Sequence, residues 1–421
     1  MEVYKPEDGF VMAVSVFTIF GMWPTAVKLP TLRGFYNIFS YCFHFTYNIA
    51  LLPTQVINMY VHRKDLYNLI EDSFFTMTCF VFFVKMLNIF FKQKKIEELL
   101  KRLNNPIFTP TRREHFLIAK KSANYAIFNC VLFYSMCVLT CIWWIIYPLV
   151  DDSQVKALLY GAWYPFNVTV EPYYTYAYIF QCSMVLLTAN INSMMDMIVI
   201  AFFITMLGQL EMLKIDFKKL TDINDNNINE TENREISRLT EDDNLTTYSC
   251  FNEDNNAIRI YEQRIINYVN RYKAIIAYIQ DVVETFGTSI MVQFCGSSVA
   301  LCLSCFILTL LKPNSIKFYV ILQYLICMLF QMYIYMRRGN EITMKTSELI
   351  NAIYQCSWAS VPNKGFRQLL CIIMSRLQVP IQIRIWNFVL LSLNTFLGAV
   401  KTSYSFYVLL RQFQKKRIML L

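Results

Sequence analysis

Charged residues are scarce in this chain: only 16% of its 421 residues are Asp, Glu, Lys or Arg, against about one quarter in soluble domains. Histidine is rarer still, with His44, His62 and His115 on three separate segments. None of the short motifs of zinc proteases, α/β-hydrolases, dinucleotide-binding domains or P-loop enzymes is present. These absences exclude a set of soluble domains and the common enzyme classes, and we expect no catalytic site, no metal and no cofactor.

Thirteen cysteines could indicate a disulfide-rich protein. However, the chain does not open with a cleavable signal-peptide pattern, and most cysteines lie inside apolar runs. Cys302 and Cys305 form a CxxC pair within "SSVALCLSCFILTLL", with no second ligand pair nearby for a metal. We interpret them as small apolar side chains of a membrane helix.

Long apolar runs are what the chain has in abundance: 56% of its residues are hydrophobic and the mean hydropathy is +0.35. A helix needs about 20 mostly apolar residues to cross a bilayer, and runs of this length satisfy their backbone in lipid as helices. The sequence therefore predicts an all-α polytopic membrane protein. Its seven predicted transmembrane helices are residues 35–58, 73–91, 125–148, 178–208, 286–311, 316–336 and 387–410. The apolar opening, "GFVMAVSVFTIFGMWP", is too short to span and predicts an interfacial or re-entrant helix.

Basic residues flank these segments unevenly. With a cytoplasmic N-terminus, 28 of the 39 Lys and Arg fall in cytoplasmic segments and 9 in extracellular ones. The positive-inside rule therefore predicts a cytoplasmic N-terminus and, after seven spans, an extracellular C-terminus. This orientation disfavours a G-protein-coupled receptor, and basic residues placed for topology exclude nucleic-acid binding. The sequon at Asn167 is predicted to be extracellular and glycosylated, whereas those at Asn229 and Asn244 are predicted to be cytoplasmic.

Several connecting segments have a character of their own. Residues 221–256 are rich in Asn and acidic residues and predict a flexible cytoplasmic linker. Three amphipathic stretches, at 92–103, 257–280 and 366–377, predict cytoplasmic helices whose apolar faces pack within the subunit or between subunits. The aromatic outer loop after residue 147 fits either interfacial anchoring or a folded cap over a cavity.

Asp196 lies inside a predicted span, with Asn190 and Asn192 close to it in sequence. Ionisable groups at this depth usually face the bundle interior. Two interpretations remain open: an ion or proton site, and hydrogen bonds that hold helices together.

Two stretches of the C-terminal third carry a family resemblance: "RRGNEITMKTSELINAIYQCSWASVP" and "FVLLSLNTFLGAVKTSYSFYVLLRQ". They contain a Gly-Asn-Glu after span 6, an Ala-Ile-Tyr…Trp run and a Lys-Thr-Ser-Tyr-Ser signature. In these respects the chain resembles the insect odorant receptors. The matching residues, in order, are Gly339, Asn340, Glu341, Ala352, Ile353, Tyr354, Trp358, Lys401, Thr402, Ser403, Tyr404 and Ser405.

The resemblance implies an odorant-gated, non-selective cation channel of four subunits in the plasma membrane of a sensory neuron, with no G protein required. Span 7 would line the pore and cytoplasmic helical extensions would form an anchor. The chain ends in a basic tail rather than in the short ending of the common co-receptor, so the resemblance implies a ligand-tuning subunit that assembles with that co-receptor. The alternatives are a gustatory receptor channel, a metabotropic seven-helix receptor and a transporter.

The resemblance also divides the chain and implies its sites. Residues 1–336 would carry helices 1–6 and the pocket, 337–386 the cytoplasmic anchor segment, and 387–421 the pore helix and tail. A hydrophobic volatile would bind in the outer half of spans 2, 3, 4 and 6. The candidate odorant-binding residues are Met77, Phe80, Val81, Cys137, Cys141, Trp144, Met184, Thr188, Ile191, Tyr319, Gln323 and Tyr324.

For the pore, helical spacing places Ser405, Val408 or Leu409, and Gln412 on one face of span 7. An apolar ring between two polar steps can close a pore by dewetting. We predict Val408 as the constriction, with Leu409 as the alternative if the helix is rotated. Lys401 is expected to pair within the bundle or to reach a polar interface.

Overall fold

The computed structural model describes residues 6–23, 30–44, 51–64, 66–150, 158–222 and 249–420. These residues form ten α-helices and one short hairpin, which confirms the all-α prediction. The helices are α1 (Val11–Ile19), α2 (Pro30–His44), α3 (Leu51–Val61), α4 (Leu66–Arg102), α5 (Arg113–Val150), α6 (Tyr173–Lys218), α7 (Ser249–Leu310), α8 (Ile316–Gln355), α9 (Lys364–Leu377) and α10 (Leu393–Leu420), with strands β1 (Arg384–Ile385) and β2 (Val389–Leu390) between α9 and α10.

Five of these helices, α4 to α8, are long and apolar enough to cross a membrane. They contain the predicted spans 2 to 6. The predicted first span divides between α2 and α3, and residues 45–50 between them lie outside the described part of the chain. Helix α8 runs without a break across residue 336, so the predicted transmembrane and anchor parts share one helix.

The long helices extend well beyond a bilayer. At about 1.5 Å per residue, the 62 residues of α7 measure about 93 Å, roughly three times the hydrocarbon thickness. The predicted amphipathic extensions form as expected. Their apolar stripes are buried in the main core, with Ile96 and Leu99 on α4, Ile265 and Ile279 on α7, and Phe366 on α9 each no more than 2% exposed. These extensions therefore pack within the subunit.

Two boundaries differ from the sequence prediction. Helix α7 begins at Ser249 instead of Ala257, because a helix gains a backbone hydrogen bond with each added residue and can continue past its last apolar side chain. The rest of the predicted linker, residues 223–248, lies outside the described residues. Helix α10 begins at Leu393 instead of residue 387, because the preceding residues form the antiparallel β1–β2 hairpin.

The turn of this hairpin explains why the residues before α10 are not helical. Trp386 and Asn387 have φ values of 50° and 57°, in the left-handed region that disfavours a continuing helix. Ile385 is fully buried and pairs with Val389. At the hairpin's end, Leu391 packs so closely against α8 that a Cβ at Gly339 would lie 2.7 Å from its carbonyl oxygen. The glycine of the Gly-Asn-Glu motif thus permits the hairpin to dock on α8.

The N-terminal segment packs into the bundle instead of lying apart from it. Phe10, Ala13 and Phe17 are buried in the main core, and α1 lies against α6. Trp23 stacks on Phe17 with ring centroids 6.1 Å apart. This short helix therefore packs against the long helices.

Candidate functional site

Four long helices, α4, α5, α6 and α8, enclose a cavity of about 120 Å³. Each helix presents residues three or four positions apart, so each contributes a single face. The wall is largely apolar, with amide groups only at its deep end. It is lined by Phe75, Thr78, Cys79 and Phe82 of α4, Phe133, Cys137, Thr140, Cys141 and Trp144 of α5, Val185, Thr188, Ala189 and Asn192 of α6, and Tyr324, Cys327, Met328 and Gln331 of α8.

The structure brings five of the twelve predicted odorant-binding residues to this cavity: Cys137, Cys141, Trp144, Thr188 and Tyr324. The predicted α5 set lines it completely. The other seven are not in its wall, namely Met77, Phe80, Val81, Met184, Ile191, Tyr319 and Gln323.

Helix rotation and depth account for four of these seven. On α4 the cavity face is the one that carries Thr78 and Phe82, whereas Phe80 points outward and is 47% exposed. On α8 the cavity face lies deeper than predicted, and Tyr319 is 54% exposed. Met184 and Ile191 are instead buried in neighbouring packing clusters of α6.

The outer loop folds down as a cap, which favours the second of its two interpretations. Gln181 of α6 is fully buried and holds this loop: its Oε1 accepts hydrogen bonds from the backbone N–H groups of Leu159 (2.9 Å) and Tyr160 (3.3 Å), and its Nε2 donates to the Tyr160 carbonyl (3.0 Å). The Tyr160 ring stacks on Phe75 in the cavity wall at 4.2 Å. Burial raises the pKa of Tyr160 well above its ordinary value.

A buried ion pair underlies the deep end of the cavity. Lys85 of α4 and Asp196 of α6 are both fully buried, and Lys85 Nζ lies 2.6 Å from Asp196 Oδ1. Nζ also donates to Asn192 Oδ1 at 2.6 Å and to Gln293 Oε1 at 3.0 Å. An ammonium has three protons, so these three acceptors satisfy it completely.

Both carboxylate oxygens of Asp196 also accept hydrogen bonds. Its Oδ1 also accepts from the Tyr335 hydroxyl at 2.8 Å, and its Oδ2 accepts from Gln331 Nε2. The network joins α4, α6, α7 and α8, because Gln293 Nε2 donates in turn to Gln331 Oε1 at 2.9 Å. Of the two interpretations of Asp196, the geometry supports interhelical bonding, since a charge buried in lipid is stabilised by such a pair. Asn192 and Gln331 connect this network to the cavity.

Helix α10 packs on α7 along one side and leaves the other side open. Ser403 and Tyr407 are buried, and the Ser403 hydroxyl donates to the Ser298 carbonyl of α7 at 2.9 Å. On the opposite side Ser405, Leu409 and Gln412 are exposed, with Leu409 at 47%. Val408 is partly buried against the cluster around Tyr407. Within the predicted pore set, Leu409 therefore lies on the exposed face with Ser405 and Gln412, whereas Val408 is turned toward the bundle.

The Lys-Thr-Ser-Tyr-Ser signature satisfies its hydroxyls mostly within the subunit. Thr402 donates to the Gly398 carbonyl at 2.9 Å and Ser405 to the Lys401 carbonyl at 3.0 Å. Such bonds to the preceding turn allow hydroxyls in an apolar setting. Lys401 itself is exposed, and within the described residues it has no hydrogen bond or ion pair, so the expected pairing inside the bundle is not found there.

Comparison with known proteins decides the family. The family model described as "7tm Odorant receptor" matches residues 65–404, most of the chain. The chain belongs to the odorant receptor family. Members of this family are receptors or channels, so the expectation that the chain is not an enzyme is confirmed.

Individual odorant receptors are similar along the whole length or along part of it. Odorant receptor Or1 of Anopheles gambiae is 21% identical over 99% of this chain and 98% of its own length. Odorant receptor 94a of Drosophila melanogaster is 30% identical over 41% of this chain and 42% of its own. Among solved structures, the olfactory receptor OR5 from Machilis hrabei in complex with eugenol has a TM-score of 0.74 at 16% identity, covering 96% of this chain and 97% of that one. The odorant receptor fold thus extends over nearly all of the chain.

Proposed function

We propose that the chain is the odorant-tuning subunit of a ligand-gated, non-selective cation channel, and that a hydrophobic volatile binds in the cavity between α4, α5, α6 and α8. The observation that carries this proposal is the cavity itself, which is mostly apolar, is capped on its outer side and has its two amide side chains at the deep end. Small-molecule sites have this composition, with few polar groups that fix orientation. Family membership supplies the class of ligand.

The size of the cavity fits a small volatile. Its volume of about 120 Å³ is close to that of an apolar protein cavity of about 150 Å³ that binds benzene. Trp144 stands beside Phe74 and Phe75, with ring centroids 6.4 and 6.3 Å away, and gives the wall a large aromatic surface. We expect a ligand of about one ring, or a short chain, to gain most of its affinity from burying apolar surface here.

For conduction, we propose that the exposed face of α10 lines a pore between four subunits. This face carries Ser405, Leu409 and Gln412. One apolar side chain from each subunit, between two polar positions, would form a ring that closes by dewetting. Because Leu409 is on this face and Val408 is partly buried, Leu409 takes the role of constriction in the proposal.

The proposal places this subunit in a tetramer with the common co-receptor, in the plasma membrane of a sensory neuron. Its support is the family and the apolar side chains that the single subunit leaves exposed beyond the spans. On the lower half of α8, Met344 is 55% and Tyr354 70% exposed, as residues of a subunit interface would be in one isolated copy. Packing of these residues against a neighbouring subunit would hold the assembly together.

The test is an electrical recording. Cells co-expressing the chain and a co-receptor are used for excised patches in nucleotide-free solution, and a panel of esters, terpenes, alcohols and aromatics is applied. The proposal predicts a rapid cation current to some of these volatiles, and none from the co-receptor alone. A response that needs GTP would indicate a metabotropic receptor, and solute uptake without current would indicate a transporter.

The pore face has its own matched pair of variants. Leu409→Ser is expected to raise the current without ligand, since a hydroxyl ring stays wet, while Val408→Ser on the adjacent position is expected to raise it less. Gln412→Lys is expected to alter the permeability ratios for cations. If Leu409→Ser and Gln412→Lys reach the surface with wild-type leak and selectivity, the face does not line the pore.

A further inference from the structure

We propose that Asn192 is a specificity-determining residue of the cavity, and that its side-chain N–H selects ligands with a hydrogen-bond acceptor, above all the carbonyl oxygen of an aldehyde, ketone or ester. This inference rests on the proposed function, because it concerns the same cavity. It names the chemical class of ligand that the wall favours.

The orientation of the Asn192 amide is fixed by the ion pair beneath it. Lys85 Nζ can only donate, and it lies 2.6 Å from Asn192 Oδ1. The oxygen end of the amide is therefore turned to the ammonium, and the nitrogen end, Nδ2, remains for the cavity that Asn192 lines. Because all three protons of Lys85 have acceptors, this lysine acts as a positioning residue for Asn192.

The hydroxyl donors of the wall are already engaged. The hydroxyls of Thr140 and Thr188 donate to the carbonyls of the preceding turn at 2.8 and 2.7 Å. The hydroxyls of Thr78 and Tyr324 lie 2.9 Å apart, and Thr78 also donates to the Phe74 carbonyl.

Gln331 is only 2% exposed, and both ends of its amide are bonded. Asn192 is partly exposed, and in the described part of the chain its Nδ2 has no acceptor. Among the amide and hydroxyl donors of the wall, the one left for a ligand is therefore Asn192 Nδ2.

An unpaired donor in an apolar cavity discriminates between ligands of equal shape. A carbonyl oxygen accepts a hydrogen bond from Nδ2. A hydrocarbon of the same shape excludes water from the amide N–H and offers it no acceptor. A neutral hydrogen bond of this kind corresponds to an affinity gain of roughly 2- to 12-fold. Burial of apolar surface therefore supplies most of the ligand's affinity, and Asn192 supplies the preference for a carbonyl group.

The test is equilibrium binding to the purified full chain in lipid nanodiscs, measured by depletion of the volatile from the headspace. The probes are two pairs that differ in one carbonyl: benzaldehyde with toluene, and acetophenone with ethylbenzene. For each pair, the dissociation constant of the hydrocarbon is divided by that of the carbonyl compound. The readout is this ratio in wild type divided by the same ratio in Asn192→Leu. This double ratio cancels the difference in partition into lipid, and we expect it to lie between about 2 and 12.

Two further variants make the comparison decisive. Asn192→Ser, whose hydroxyl can donate to the preceding turn, is expected to lose the preference as well and serves if the leucine variant does not fold. Asn190→Leu makes the same change two residues away, outside the cavity wall, and is expected to keep the wild-type ratio.

The possible outcomes separate this inference from the proposed function. A double ratio near 1 for both Asn192 variants, with binding retained, overturns the role of Asn192 and leaves odorant gating standing. A clear carbonyl preference without any current in patches supports Asn192 and contradicts the gating. If none of the four probes binds up to its solubility limit, the role of Asn192 is wrong, whereas the proposed function is decided by the current recorded with the wider panel.

Discussion

The buried pair of Lys85 and Asp196 can be broken by replacing one partner or removed by replacing both, and we expect replacement of one partner to cost more stability. Lys85→Met alone leaves a carboxylate at 0% exposure with only the neutral donors Tyr335 and Gln331. Asp196→Leu alone leaves the ammonium with the amide oxygens of Asn192 and Gln293. Breaking a buried pair by removing one partner costs about 3–5 kcal/mol, and we expect each single variant to lose stability of this order.

The double variant Lys85→Met with Asp196→Leu is expected to be more stable than either single one. Replacing a whole buried ion pair by apolar side chains is often neutral or stabilising by about 1–4 kcal/mol. Here it also leaves polar groups such as Asn192 Oδ1 without their partner, at about 1–3 kcal/mol each. We therefore expect partial recovery and not full recovery. Asp196→Asn should be milder than Asp196→Leu, because it keeps an acceptor for the ammonium.

The assay is reversible unfolding of the purified chain by SDS in mixed micelles, analysed as a double-mutant cycle. Surface expression and odorant-evoked current of the same variants show whether loss of stability alone explains loss of function. If the double variant loses as much free energy as the two single variants together, Lys85 and Asp196 are independent, and the proposed interhelical network is wrong.

Three further predictions follow from particular contacts. Gly339→Ala is expected to reduce folding and surface expression strongly, because a Cβ would meet the Leu391 backbone at 2.7 Å; normal expression and current would contradict the docking of the hairpin. Asn167, which lies in an exposed loop, should carry a glycan removed by Asn167→Gln, whereas a mobility shift in Asn229→Gln would reverse the orientation. Trp144→Ala should shift odorant potency and leave the maximal current unchanged, because it alters the wall of the cavity and not the pore; superimposable dose–response curves would exclude Trp144 from the site.

Much of the fold could be predicted from the sequence because its signals are local. Apolar runs, amphipathic stripes such as Ile96 to Leu103, and the C-terminal motif each lie within one segment. The sequence does not predict the hairpin before α10, because residues 387–392 are apolar enough to pass for membrane helix. Its cause is a two-residue left-handed turn at Trp386 and Asn387, and only the asparagine gives a hint of it.

The site was only partly predictable because it depends on helix rotation. Trp144 lines the cavity because α5 presents the predicted side to it. On α4 the apolar side chains do not distinguish the face of Phe80 from that of Phe82, and only the charged Lys85, three positions after Phe82, indicates the inner face. The network beneath the cavity carried a visible signal, since both Lys85 and Asp196 are charges inside apolar spans. Their pairing joins residues 111 positions apart, which requires knowledge of which helices are neighbours.

Filling the cavity tests the central claim most directly. Ala189 lines the cavity on α6, whereas Leu186 on the same helix is 38% exposed on its outer side. With the co-receptor present, Ala189→Phe is predicted to abolish or strongly weaken the volatile-evoked current at normal surface expression, and Leu186→Phe to leave the dose–response curve unchanged. A wild-type curve in Ala189→Phe would contradict the account, because the volatile would then bind somewhere other than this cavity.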